Sequence, residues 1–290
     1  MELSAHVVPL TQDVPVSFEG LEPVADVSVA DWIAPRLRGF GGRVHYVVPD
    51  GFAAYARVLH PAGDGVGEPV PWAEVCRATG RTAHALMQWN SIAGVVRHTE
   101  KRGRWPHRYE FGWETSEWSG TPPEQGNVRP DLLVELLDVL AVSTPDDGDC
   151  FHALWEGWGW LHEGAWSLLT LGTDSLPPRP TAAEPGLPAD VLAGPRLLLP
   201  DRDYLVFRGP LDAARRMGHQ ITDDWFSPQS PSLLWPADRS WCLATEIDFD
   251  STLIGGPQEL IDTLLHRPGL EAWPVSPADD LSLDSDLLNN

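Results

Sequence analysis

Residues 131–155 read DLLVELLDVLAVSTPDDGDCFHALW. Leu132, Leu133, Leu136, Leu137 and Leu140 recur at helical spacing and make one apolar face, with Glu135 and Asp138 on the other. That pattern predicts an amphipathic helix over 131–142. Pro145-Asp146-Asp147-Gly148 is a stop and turn signal. CFHALW at 150–155 is an apolar run of strand length and reads as a buried strand. A helix met directly by a short strand, with similar short pieces on both sides and no regular βαβ rhythm, predicts an α+β fold. Its sheet is mixed or mainly antiparallel, with short helices packed on it.

The reading extends outward from there. Ser28 and Asp31 have capping-box spacing before a short helix through Trp32, Ile33 and Leu37, ended by glycines at 39, 41 and 42. RVHYVV at 43–48 alternates and reads as a strand, Pro49-Asp50-Gly51 as a turn, and FAAYARVLH at 52–60 as the partner strand of a hairpin. Alternation puts Tyr55, Arg57 and Leu59 on one face and Phe52, Ala54, Ala56, Val58 and His60 on the other. His45 and His60 then face each other across the hairpin. Helices are predicted from Pro71 to Gly80 and over 82–96, and a long loop or irregular strand pair over 99–130. WSLLTL at 166–171 reads as the hairpin partner of 150–155. YLVFR at 204–208 and WCLATEID at 241–248 read as strands, and Pro210 and Pro257 each open a helix. Seven prolines over 172–200 suggest a surface linker or crossover. The layout expected is an irregular segment at 1–27, one α+β unit at 28–275, and an acidic flexible tail at 276–290.

Composition narrows function. The chain has 290 residues, with 42 acidic against 20 basic side chains, a net charge of -22. The excess is uneven: 15 acidic and 12 basic residues in 1–130 (net -3), 27 and 8 in 131–290 (net -19). A surface so acidic disfavours nucleic acid and anionic membrane and favours a basic protein meeting the C-terminal half. No signal-peptide pattern and no run of 18 apolar residues is present, so a cytoplasmic location is expected. Cys76, Cys150 and Cys242 are odd in number and far apart, which suggests reduced thiols in place of a disulfide or zinc framework. There is no strand-linked GxGxxG, GxxxxGK[ST], HExxH or GxSxG, so no cofactor is expected.

Four segments carry a resemblance: GFAAYARVLHPA at 51–62, PWAEVCRATGRTAHALMQW at 71–89, DYLVFRGPLDA at 203–213, and LLWPADRSWCLATEIDFDSTLIGG at 234–256. Together they resemble a widespread actinobacterial protein family of unknown function. The resemblance implies a bacterial cytosolic protein and transfers no functional residue.

Three places carry candidate chemistry. Glu246, Asp248 and Asp250 stand at i, i+2, i+4 at the end of the 241–248 strand. If the strand continues, all three carboxylates share one face, where they would hold a hard divalent cation or tune one another as acid and base. The alternative is an outward, solvated strand face with Leu243, Ile247 and Phe249 toward the core, and no metal site is expected. Asp238 and Arg239 lie between Trp235 and Trp241. The arginine there either clamps an anionic or aromatic ligand or covers an indole in a turn. Trp155, Trp158 and Trp160 sit in a glycine-rich run that lines a groove or plugs the core. His152 reads as a structural core histidine, and Cys76 as a core residue. With no catalytic motif and a strongly acidic half, the leading expectation is a non-enzymatic interaction or immunity-like module. The alternative is a metal-assisted small-molecule enzyme using the carboxylates at 246–250.

Overall fold

A computed structural model describes residues 17–102, 108–114, 116–145, 148–163, 185–222 and 225–289. The fold is α+β and built on a mainly antiparallel sheet. Its strands are β1 (Glu22–Pro23), β2 (Ala54–Leu59), β3 (Cys150–Trp155), β4 (Leu197–Leu199), β5 (Arg202–Gly209), β6 (Leu233–Pro236), β7 (Cys242–Ala244), β8 (Ser251–Gly256) and β9 (Ala272–Val275). They lie in the order β1-β5-β3-β6-β7-β8-β2-β9, with β4 pairing the same outer edge of β5 as β1. Among the described residues, the three helices of eight or more residues are α1 (Trp72–Thr79), α2 (Pro130–Val142) and α3 (Gln258–His266).

Side-chain alternation divides the core by face. On one face Ala56, Val58, Leu234, Leu243 and Ile254 pack under α2 and α3. Pro130 opens α2 where an N–H would have no partner, and its leucines at 132, 133, 136, 137 and 140 are buried. On the other face Tyr55, Phe151, Trp235, Cys242, Ala244 and Leu253 pack against the 30–48 segment and Leu281. α1 ends at Gly80 in the left-handed region (φ +73°), and its first N–H groups at Trp72 and Ala73 are capped by the Glu271 carboxylate. No helix among the described residues is long and apolar enough to cross a membrane.

Several expectations change. Residues 43–48 make no strand: Val44–Val47 is one helical turn, with Val44 and Val47 buried. Its free N–H groups at Val44 and His45 donate to the carbonyls of Asp279 and Pro277. β2 instead pairs β8 on one side and β9 on the other, so the 43–60 hairpin does not form and His45 does not face His60. Alternation holds within β2, with Ala56 and Val58 under the helices and Tyr55 opposite, but Phe52, which precedes the strand, packs on the Tyr55 side. Within 82–96 only Trp89–Ile92 is helical, and Leu211–Arg216 is a 3-10 helix. Val96–Arg102 pairs with Arg108–Glu114 as a separate ladder, within the stretch read as loop or irregular strands.

The segment 185–200 is not bare linker. It carries a turn of helix at Ala189–Leu192 and strand β4, and Leu187 and Leu197 are buried. The strand expected at 166–171 and the linker residues 172–184 lie outside the described residues. The tail expected to be flexible is a packed strap over 276–289. Leu281 is buried and its N–H donates to the Gly42 carbonyl. The approach there is close: a Cβ on Gly42 would stand 2.8 Å from the Ser282 nitrogen. Asp286 is fully buried, accepting from Gln88 N–H (3.1 Å), Leu288 N–H (3.1 Å), the Asn289 side-chain amide (2.9 Å) and the His84 ring (3.0 Å).

Candidate binding pocket

β7 ends at Ala244, and residues 245–250 turn back into β8. Phe249 N–H donates to the Glu246 carbonyl (3.0 Å), and Asp248 N–H donates to the Glu246 carboxylate (2.6 Å). Glu246, Asp248 and Asp250 therefore ride a turn, which corrects the reading of one continuous strand face. This turn walls a pocket of about 420 Å³ on the sheet face opposite α2 and α3. The remaining walls are residues 37–47, 199–204 and 281–284, so the C-terminal strap closes one side.

Two arginines organise the charges. Arg202, at the start of β5, donates from Nε to Glu246 (2.9 Å) and from Nη2 to Asp248 (2.9 Å). Its guanidinium lies 5.0 Å from the Phe40 ring and 5.8 Å from the Trp155 ring. Arg57, 1% exposed, projects from β2 on the face that alternation assigned. It donates to Ser251 Oγ (3.0 Å), the Ala85 and Met87 carbonyls (3.1 and 2.8 Å), and Asp250 Oδ1 at a longer 3.4 Å. Burial pushes the Asp250 carboxyl up, with Arg57 pulling against it. Burial likewise raises Glu246, opposed by the Asp248 N–H and Arg202.

Behind the turn runs a buried polar chain. His60 Nδ1 meets the Glu124 carbonyl (2.7 Å), Nε2 meets Thr252 Oγ1 (2.9 Å), and Thr252 Oγ1 meets Thr245 Oγ1 (2.8 Å). Thr245 lines the pocket. Burial pushes the His60 ring down to about 4, so it is neutral at physiological pH. Among the described residues no histidine or cysteine lines the pocket, and no group of three or more His, Cys, Asp or Glu is placed to hold a metal ion. What the lining offers is ion pairing, hydrogen-bond acceptance and aromatic contact.

No protein-family model, curated protein or solved structure matches this chain. Pocket geometry and chemistry are therefore the grounds for a functional reading.

The other candidates fall elsewhere. Trp235 and Trp241 are fully buried; Trp235 stacks on Phe151 (5.6 Å), and Trp241 donates its indole N–H to Thr144 (3.2 Å). Asp238 and Arg239 form an exposed turn away from the pocket. Asp238 accepts from Ser240 N–H (3.0 Å), Arg239 has φ +59°, and its guanidinium lies 6.0 Å from the Trp32 ring. Trp158 is half-buried, packs edge-on against Trp155 (5.6 Å), and does not line the pocket. His152 and Cys76 are buried, and burial pushes the first down to about 4 and the second up to about 11. Sequence reading missed Arg202, Phe40 and the 281–284 wall. Arg57 did carry a signal: an arginine on the inward face of an apolar strand requires a buried partner.

Proposed function

We propose that this protein is a non-catalytic cytoplasmic interaction module that receives a basic protein at the mouth of the pocket. One observation carries the reading. The charged lining is four carboxylates, Glu246, Asp248, Asp250 and Asp284, against two guanidiniums, Arg57 and Arg202, so the cavity keeps a negative excess after its internal pairs are made. Its rim adds apolar surface, with Phe40 49% and Leu283 43% exposed, beside the Asp248 side chain at 77%. Exposed apolar anchors among charges suit a protein-binding patch, and complementary charge speeds encounter. The net charge of -22 acts in the same direction, and an immunity- or inhibitor-like role against a basic protein would use it. Three free, buried thiols suit a reducing compartment.

Tryptophan-fluorescence titrations test the reading. The probes are short peptides pairing arginine or lysine with an apolar residue, beside the same peptides with glutamate replacing the base. The basic set is expected to bind saturably, more weakly as salt rises, and more weakly to Phe40→Ala and Asp284→Asn. Silence from every basic peptide at low salt, or equal binding of the acidic set, overturns it.

A further inference from the structure

At the Thr245–Asp250 end the pocket presents acceptors, and the His60 chain shows why. A carbonyl oxygen only accepts, so the Glu124 contact places the single ring proton of neutral His60 on Nδ1. Nε2 is then an acceptor, and the Thr252 hydroxyl must donate to it. Thr252 Oγ1 in turn receives the Thr245 hydroxyl proton. Thr245 is left with lone pairs alone to offer the pocket that it lines.

The lining's two arginines are mostly engaged with protein acceptors. Arg57 commits Nε, both Nη1 hydrogens and one Nη2 hydrogen to protein acceptors. Arg202 commits Nε, one Nη1 hydrogen and one Nη2 hydrogen to Glu246, the Asp201 carbonyl and Asp248. Asp250 is short of donors. It is 8% exposed, its one side-chain partner is the 3.4 Å contact from Arg57, and its Oδ2 accepts nothing from another described residue. Its carboxylate lines the pocket with capacity left to accept from a ligand N–H donor. The cavity volume of about 420 Å³ lies within the range of small-molecule pockets, roughly 300–1,000 Å³. Phe40, Tyr46, Tyr204 and Phe249 supply aromatic lining for an apolar stem.

From this arrangement we infer that the pocket binds one organic cation rich in N–H donors, a guanidinium or primary ammonium on a short apolar stem, with its head on Asp250 and Thr245. The inference rests on the pocket being the binding site proposed above. It adds that one cationic head enters the cavity, whether from a free small molecule or from an arginine or lysine side chain of a partner.

Three probes of similar shape isolate the head group: butylguanidinium, neutral butylurea and anionic pentanoate. Binding is read by tryptophan fluorescence and by the shift of the melting temperature. Butylguanidinium is expected to bind saturably and at least about tenfold tighter than butylurea, with no binding of pentanoate. Thr245→Val and Asp250→Asn should each weaken the cation several-fold. Thr245→Val keeps a readout if the Asp250 variant fails to fold. No saturable response of the wild type to butylguanidinium, or equal binding of butylurea, overturns the proposal. The blocked tripeptide Gly-Arg-Gly distinguishes the sources: tighter binding than butylguanidinium assigns the head to a partner side chain, and its exclusion assigns it to a free molecule. The two readings also fail separately. If butylguanidinium binds while every basic peptide is silent, the partner reading falls and the cation pocket stands. If peptides bind and neither Asp250→Asn nor Thr245→Val changes them, docking stands and the cation pocket falls.

Discussion

Two fully buried histidines contribute to the response of the fold to acid. Burial holds His60 and His152 near 4, below their ordinary value of 6.5. Between those values the unfolded chain binds protons that the folded chain refuses, so stability falls as pH drops from 6.5 to 4. Each histidine contributes at most about 1.4 kcal/mol per pH unit in that window. Asp250 and Glu246 act with the opposite sign, because burial raises both and the folded state takes up their protons more readily. Urea titrations across the window should show a net loss toward pH 4, smaller in His152→Phe; a flat profile would sink the assignment. The carboxylates at 246–250 yield a second expectation at this scale. Arg202 holds Glu246 and Asp248, and among the described residues no three carboxylates are placed around one point to hold a cation. Mg²⁺, Mn²⁺ and Ca²⁺ should therefore leave the melting temperature unchanged. Asp248→Asn, at an exposed ion pair, should alter stability by less than about 1 kcal/mol. A metal-dependent rise that Asp248→Asn abolishes would restore the metal reading.

Among the elements, α2 is the one whose sequence pattern and packing agree most closely. Leu136 and Leu137 are 0% and 2% exposed and sit against Leu243 of β7 and Ile254 of β8. Leu136→Ala should cost about 2–5 kcal/mol, transfer and cavity terms together, in a denaturant titration. A loss below about 1 kcal/mol would mean that this face is not in the core. The 43–48 segment shows where pattern misleads. RVHYVV alternates like a strand, yet Val44 and Val47 are buried at the three-residue spacing of a helical turn. The β-branched preference is weak enough for tertiary contacts to override. Here those contacts are the strap carbonyls of Pro277 and Asp279 and the core beneath.

At the scale of the molecule, the C-terminal strap joins the 37–47 segment to the pocket. Asp286 is the pin. Burial pulls its carboxyl up, but hydrogen bonds from Asn289, Gln88 and His84 outweigh that and hold it below its ordinary value. Asp286→Ala would leave the buried Gln88 N–H without its acceptor and should cost about 1–3 kcal/mol. The loosened wall should also make residues 276–289 quick to exchange amide hydrogens while α2 stays protected. Exchange of the strap as slow as in the wild type would show that Asp286 does not pin it.

Local information sufficed for α2, α1, α3, β2, β3 and β5, because apolar periodicity and proline or glycine punctuation act within a few residues. It also sufficed for the α+β class and for setting Arg57 on the same strand face as Tyr55. It placed three carboxylates close together at 246–250 but could not show that the strand stops at Ala244. Past that point the Phe249 and Asp248 N–H groups close a turn on Glu246, whose carboxylate is held by Arg202, 44 residues away in sequence. The pocket itself joins residues 37–47, 199–204, 244–250 and 281–284, which no spacing rule connects. Acidic residues near a chain end read as solvated, yet Asp286 is buried because donors from residues 84–89 and from the strap itself meet its carboxylate. Only the tertiary structure supplies such partners, since burying a charge is tolerated where distant groups converge to satisfy it.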